Sequence, residues 1–516
     1  MNPAHIQMDV ASLLDYYSGC GIHLHVKDGE LGWRASKGAM TEDHLSAIRT
    51  RKRDILRHLT SLEKSRFHIA AATVNRAPLF NRFLWKDYSN RIMEAGSANV
   101  THIVKRCTGE LLTDSLLRSI DILLERHDVL NSSIDMDDGN LYLVCHARKS
   151  AAFREVFVTG KTAGEREAEA YRLANNLVWE EYDLADGPLY RVFLIRISAL
   201  EYILGVAIHH AIGDLISIGI LFQELFSIYG SVMADIPLRL PQNRVRYMDY
   251  LASMETWSAS SVCMEYVQYW KDKLKSAPVT DLIPDENRHR ATTVSESTAE
   301  TKFQLDTEVS RNLKKIAVHY KTTQFTILLA IYKITIWRMT GYEEPVVVAL
   351  NAGRLDAGLQ NTIGDFAQEV AYKTRLSGNP DFEEVIGRVI RTINEANLHQ
   401  PVPLDWVRLA LANEGILFCA PGMNFISADA GHAQNPWELR QLTFTPPGVR
   451  HGCHGFPVSF SMEFRDIGNV IENSTVYRND LYDELTIQAF LNCFIQATLG
   501  FIRSLEKKFT ARKERG

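Results

Sequence analysis

The run His209-His210-Ala211-Ile212-Gly213-Asp214 places two imidazoles, a glycine and a carboxylate within six positions. Imidazole titrates near neutral pH, so such a group suits proton chemistry. An amine attacking a thioester is one reaction that needs it, because the amine must lose a proton while an oxyanion is stabilised. Gly213 permits close backbone approach, and its amide is a candidate donor to that oxyanion. The plain alternative is that the histidines are satisfied polar residues and that Asp214 caps a helix. These six residues alone leave both readings open.

The elements around the run decide where it points. Tyr202 to Ile208 is an apolar strand ending at the histidines, and Leu215 to Tyr229 is a mainly apolar helix, so the histidines sit on a loop at the mouth of a sheet. Leu141 to Cys145 and Tyr190 to Ile197 are β-rich, while Leu116 to Leu124 and Ala163 to Trp179 are helical. Further on, Leu305 to Tyr320 and Gln324 to Met339 read as helices, the second capped by Thr322 or Thr323, and Pro345 to Leu350 reads as a buried strand. The pattern is mixed α/β, loosely repeated in two halves. Pro421 to Gly455, with Pro436, Trp437, Pro446 and Pro447, reads as a long loop that shapes one side of the site. Ser459 and Ser461 alternate with Phe460 and Met462, which predicts a strand, although a serine there is a candidate for the site.

Composition bounds the rest. The chain has 516 residues, 46% hydrophobic and 23% charged, with a formal charge of -5. That length exceeds one ordinary domain, and that charge gives no global field toward nucleic acid. Met1 to Val10 lacks a basic region followed by an apolar run, and no stretch of about 18 consecutive apolar residues occurs, so a cytoplasmic protein without membrane contact is expected. The seven cysteines (Cys20, Cys107, Cys145, Cys263, Cys419, Cys453, Cys493) are scattered and read as reduced thiols. His451, Cys453 and His454 lack a second ligand pair, so no metal is expected.

The amino-terminal segment reads as its own unit. Met8, Val10, Leu13 and Leu14 have helical spacing up to Gly19 and Gly21. Ile22 to Val26 and Leu31 to Ala35 alternate about Lys27-Asp28-Gly29-Glu30, a hairpin signal. Thr41 then caps a helix carrying Leu45 and Ile48, followed by a basic helix carrying Ile55, Leu56 and Leu59. The run "LLDYYSGCGIHLHVKDGELGWRASKGAMTEDHLSAIRTRKRDILRHL" resembles the tubulysin-synthetase type of amino-terminal docking domain found in nonribosomal peptide synthetase subunits. The resemblance implies that the hairpin accepts, through strand addition, the carboxyl-terminal tail of an upstream subunit, with Lys27, Arg34 and Lys37 facing an acidic tail. The alternative is a small capping subdomain.

Beyond it, motifs recur in order: Asn81-Arg82-Phe83-Leu84-Trp85, Glu125-Arg126-His127-Asp128-Val129-Leu130, "YDLADGPLYRVFLIRI", the histidine loop, Tyr247-Met248-Asp249-Tyr250, "TTQFTILLAIYKITIWRMTG", Ile363-Gly364-Asp365-Phe366 and His399-Gln400. Over residues 76 to 508 the chain resembles a nonribosomal peptide synthetase condensation domain. The resemblance implies an α/β (α+β) fold of two lobes, each like chloramphenicol acetyltransferase, arranged as a V-shaped pseudo-dimer about a central tunnel. Donor and acceptor carrier proteins would dock at its two ends, delivering substrates on phosphopantetheine arms, with no bound cofactor. The organisation expected is a docking domain at 1–60, a linker at 61–75, lobes at 76–240 and 241–508, and a basic tail at 509–516.

The same resemblance sorts the residues. His210, His209, Asp214 and Gly213 form the catalytic loop; within it His210 faces the reacting amine, as base or as hydrogen-bond partner of the tetrahedral intermediate. His209 and Asp214 hold the loop, Asp214 by pairing with Arg354 of the other half, and Arg126 supports a helix. Two departures stand out: Leu215 replaces the usual glycine after the aspartate, and Asp365-Phe366-Ala367-Gln368 follows Ile363-Gly364 where the family commonly reads Phe-Val-Asn-Thr. The leucine narrows a channel or packs under the helix. The implied activity is amide formation between two carrier-bound units. The rival readings are a standalone acyltransferase acting on a diffusible amine or alcohol, an epimerisation domain, and a non-catalytic docking adaptor.

Overall fold

The computed structural model of the protein describes residues 14, 17, 22–27, 30–35, 40–56, 69–70, 74–79, 99–138, 140–147, 151–243, 245–277, 298–427, 438–442 and 459–513. Lys37, the motif Asn81 to Trp85, most of the 61–75 linker and the His451, Cys453, His454 group lie outside the described residues, as does the side chain of Lys27.

In the amino-terminal unit, Ile22–Lys27 pairs antiparallel with Glu30–Ala35 in a register running from Ile22 opposite Ala35 to Lys27 opposite Glu30. That register leaves Asp28-Gly29 as a two-residue connection, the length a tight hairpin takes. Thr41 caps the helix Glu42–Thr50 with its hydroxyl accepting from His44 N at 3.3 Å. Tyr17, Ile22, Ile48 and Ile55 form the small core beneath.

The first large sheet has five strands in the order Glu438–Leu442, Val100–Thr108, Glu201–His209, Tyr190–Arg196 and Phe153–Phe157. Its central strands are buried almost end to end, which explains their continuous apolar runs: each face is covered by helix. Leu194, Leu204, Val206 and Ile208 pack with Ile218, Leu221 and Leu225 of the helix Leu215–Ala234. Phe193, Ile195 and Ile203 point the other way, against Ala170, Ala174 and Val178 of the helix Ala163–Val178.

A second, six-stranded sheet runs Thr298–Leu305, Ile471–Arg478, Phe460–Asp466, Gly422–Ile426, Val346–Asn351 and Gln368–Lys373. The helix Gln324–Thr340, capped by Thr323, and the long helix Glu484–Lys513 pack on it. Ser459 and Ser461 flank the start of its strand Phe460–Asp466, and the Ser459 hydroxyl accepts from Tyr482.

Two expectations need correction. The region Pro421 to Gly455 is not all loop: Gly422–Ile426 is a strand of the second sheet, and Glu438–Leu442 crosses to the first sheet, pairing antiparallel with Val104 to Thr108. The 241–508 half thus lends an edge strand to its partner. A five-residue strand with two apolar positions, among prolines and glycines, carries too little periodicity to be read. The basic end is also helical as far as Lys513, continuing Glu484–Lys513 past residue 508. The helices Leu215–Ala234 and Glu484–Leu505 are long and apolar enough to cross a membrane on length and composition, yet 50% and 44% of those stretches are buried in the protein, where the sheets account for their apolarity.

Packing of the central strand makes a test. A Cβ on Gly205 would stand 2.0 Å from Cζ of the fully buried Phe193, whereas one on Gly230, inside the helix Leu215–Ala234, would meet nothing within 4 Å. Gly205→Val is expected to lower stability by about 1–3 kcal/mol through overpacking. Gly230→Ala is expected to raise it by about 0.5–1 kcal/mol through lost unfolded-chain freedom. Thermal midpoints moving in opposite directions check both.

Candidate active site

The strand Glu201–His209 ends at the first histidine, a 3-10 turn spans His210–Ile212, and Asp214 caps the helix Leu215–Ala234 through Oδ1, which accepts from Ser217 N at 2.8 Å. Most of the loop's amides are already engaged. His209 N donates to Leu189 O, His210 N to Asn99 O, Gly213 N to His210 O at 3.2 Å, and Asp214 N to Gly364 O. Ala211 N donates to His209 Nδ1. The Gly213 amide, expected to face an oxyanion, is therefore consumed in closing the turn. The glycine is required for space: a Cβ would stand 2.4 Å from Ile208 Cδ1. Its φ of -178° is ordinary extended backbone.

Asp214 and Arg354 meet in a bidentate pair, with Nη1 to Oδ2 at 2.7 Å and Nη2 to Oδ1 at 3.0 Å. Their side chains are only 4% and 2% exposed. The same guanidinium donates to Ser217 Oγ at 2.9 Å and Thr362 O, and lies over the Phe366 ring. Ser217 Oγ in turn donates to Gly364 O and accepts from Gly364 N, while Phe366 N donates to Asp214 Oδ2 at 3.2 Å. The residues 351–366 are thus laced to the histidine loop. Gly353 makes this approach possible, with φ +65° and a position where a Cβ would fall 1.6 Å from Phe366 O.

The two histidines differ sharply. His209 is 0% exposed, its Nδ1 accepts from Ala211 N, and its ring stands edge-on to Tyr182. Burial, then the charge of His210, lowers its pKa to about 3, so it is neutral with its proton on Nε2. His210 keeps 40% of its side chain exposed, and its Nδ1 lies 3.4 Å from Asp365 Oδ2. Burial would depress its pKa, but the Asp365 carboxylate, by charge and hydrogen bonding, with help from Asp214, overcomes this and raises it to about 9. The Asp365 carboxylate thus favours the imidazolium form of His210.

Arg126 stands elsewhere. It chelates Glu224 of the helix Leu215–Ala234 at 2.8 and 3.1 Å and reaches Asn243, while His127 contacts Glu224 at 2.7 Å. About ten residues of helix separate Glu224 from Asp214, some 15 Å along the axis, so the motif braces the helix at its middle. Leu215 is 55% exposed and Ile216 42%, which corrects the alternative that Leu215 packs under its helix: the first turn of the helix carries two exposed apolar side chains. Of the docking candidates, Arg34 is exposed on the hairpin opposite His23.

Sequence reasoning marks Asp365 as a departure from the family pattern and misses it as a site residue. Tyr247, whose hydroxyl donates to Asp365 O at 3.1 Å and whose ring packs on Phe366, is likewise seen there only as part of a motif. An acid directly after a buried Ile-Gly step was the signal.

Two family models match. The condensation domain model covers residues 88–512. This chain belongs to the condensation domain family. The TubC N-terminal docking domain model covers residues 10–60. Among curated proteins, the domain is 31% identical over 322 residues to one of the linear gramicidin synthase subunits of Brevibacillus parabrevis, which is 62% of this chain and 6% of that one. It is 27% identical over 407 residues to one of the plipastatin synthase subunits of Bacillus subtilis, 79% of this chain and 15% of that one. The chain thus spans a small part of the synthetases it matches. The fold is similar to the condensation domain of chain release from the enacyloxin polyketide synthase (TM-score 0.67, 19% identity, 96% of this chain and 97% of that one). It is equally similar to a cyclization-docking bidomain from Sorangium cellulosum (TM-score 0.67, 18% identity, 96% and 98%).

The Asp214–Arg354 pair makes its own prediction. Asp214→Ala leaves a buried guanidinium uncompensated and is expected to destabilise the domain by about 3–5 kcal/mol, whereas replacing both partners by leucine costs far less. Thermal unfolding of single and double variants checks this; equal losses would contradict it.

Proposed function

We propose that this condensation domain joins an upstream carrier-bound acyl or peptidyl thioester to the amine of a downstream carrier-bound aminoacyl thioester. The observation that carries the reading is a partly open His210 ring with Nδ1 3.4 Å from the Asp365 carboxylate, a neighbour that favours its charged form, on a loop whose backbone amides are largely engaged elsewhere. The charge available to a developing oxyanion is therefore a side chain.

In this reading the neutral amine attacks the thioester carbonyl and a C–N bond forms as the C=O electrons move to oxygen. His210 donates a hydrogen bond to that oxyanion, which stabilises the transition state more than the uncharged ground state. On collapse the C–S bond breaks, and the proton lost by the amine ends on the departing phosphopantetheine thiolate, relayed by His210. An imidazolium is the wrong form for a base that opens the reaction, so stabilisation of the intermediate is the role assigned. His209, buried and neutral, and Asp214, paired with Arg354, hold the loop.

The substrates arrive on the phosphopantetheine arms of donor and acceptor carrier proteins, and the amino-terminal unit receives the carboxyl-terminal tail of an upstream synthetase polypeptide. Arg34, Lys27 and Lys37 supply charge toward an acidic tail. The setting is the cytosol, and neither nucleic acid nor membrane takes part.

Incubation with a donor-loaded and an acceptor-loaded carrier, followed by intact-protein mass spectrometry, tests this. The acyl mass is expected to move to the acceptor carrier, and His210→Ala to slow the transfer by roughly 10²–10³-fold, the range for one oxyanion donor. Undiminished transfer by that variant removes the catalytic role. Transfer to a free amine but never to a loaded carrier makes the chain a standalone acyltransferase.

A further inference from the structure

Asp365 is held on both sides. Gly364, before it, exchanges two hydrogen bonds with Ser217 Oγ at 2.7 and 3.0 Å, and Phe366, after it, donates to Asp214 Oδ2. Its own carbonyl accepts from Tyr247. A Cβ on Gly364 would stand 2.2 Å from the Tyr247 ring, so the Ile363-Gly364 step is pressed against that side chain. The backbone is fixed, and with it the point from which the carboxylate projects. Its side chain is only 8% exposed, and such a carboxylate needs a counter-charge. Arg354, the guanidinium of the same segment, is committed to Asp214. His210 stands against it, with Nδ1 at 3.4 Å from Oδ2.

We propose that Asp365 is a positioning residue for His210: held by the clamped 364–366 segment, its carboxylate orients Nδ1–H and thereby presents Nε2–H to the reacting carbonyl. This deepens the functional reading above and rests on it for its consequence in rate. The contact is an ion pair at the long end of hydrogen-bonding distance. Among the described residues, the groups around His210 are few in kind. The strand supplies neutral His209, the helix cap supplies Asp214, which is paired with Arg354 and adds to the pull of Asp365, and the helix Tyr247–Ser258 supplies Tyr247 and Tyr250, whose phenols burial keeps protonated. Asp365 is the acid set directly against the imidazole.

The test follows His210 by nitrogen NMR of histidine-labelled full-length chain, with the resonance assigned by its loss in His210→Gln. The wild-type ring is expected to titrate near 9, and in the isosteric Asp365→Asn to fall to its ordinary value of 6.5 or below. Transfer between loaded carriers is expected to slow roughly 10- to 100-fold in kcat, less than the roughly 10²–10⁴-fold of a group that itself transfers the proton, with KM for the acceptor carrier changed by less than about twofold. Asp365→Glu, which keeps the charge, is expected to restore a raised midpoint and part of the rate. An unchanged His210 midpoint in Asp365→Asn overturns the proposal, as does a slowed rate that Asp365→Glu leaves equally low with no shift in titration. If the wild-type chain moves no acyl group between carriers, the functional reading falls, and the titration alone still decides the contact.

Discussion

The buried bidentate pair of Asp214 with Arg354 is the constraint on which the site depends. One partner ends the histidine loop and caps its helix; the other belongs to a segment that leads into the second sheet. Ion pairs of this kind add little net stability, because desolvation offsets most of the attraction, but a lost partner leaves a charge stranded. Their effect is geometric. Once Arg354 holds Asp214 and Ser217 together, Gly364 and Phe366 lie against the loop, and Asp365 lies between them.

From that arrangement comes an electrostatic asymmetry between adjacent histidines. His209 is sealed under Tyr182 and stays neutral, whereas His210 looks outward and is drawn to the charged state by Asp365. Neighbouring imidazoles with the same intrinsic chemistry are thereby set in different environments, and in the proposed reaction one fills and orients while the other meets the substrate. Leu215 and Ile216, directly after Asp214, are exposed apolar side chains on the first turn of the helix, where the usual glycine would leave space.

Much of this was legible from residues alone. The apolar run Tyr202 to Ile208, the hairpin about Asp28-Gly29 and the caps at Thr41 and Thr323 are local signals, and the elements formed where periodicity and capping put them. What stayed hidden is long-range. The crossing strand Glu438–Leu442 takes its partner from Val104 to Thr108, more than three hundred residues away, and nothing in five residues encodes that choice. The use of the Gly213 amide and the aim of Asp365 depend on tertiary contacts in the same way. A motif names the residues of a site more readily than it gives their protonation.

The central claim is that His210 works as a cation. The most direct measurement is the single-turnover rate of transfer between loaded carriers across pH 6 to 10.5, corrected for thioester hydrolysis. An α-amine titrating at about 8 gives the rising limb. The imidazolium, present below its pKa of about 9 and lost above it, predicts a second limb falling near that value. A rate that rises with pH and then stays flat through 10.5 would mean that neutral His210 is the active form, and would contradict the account.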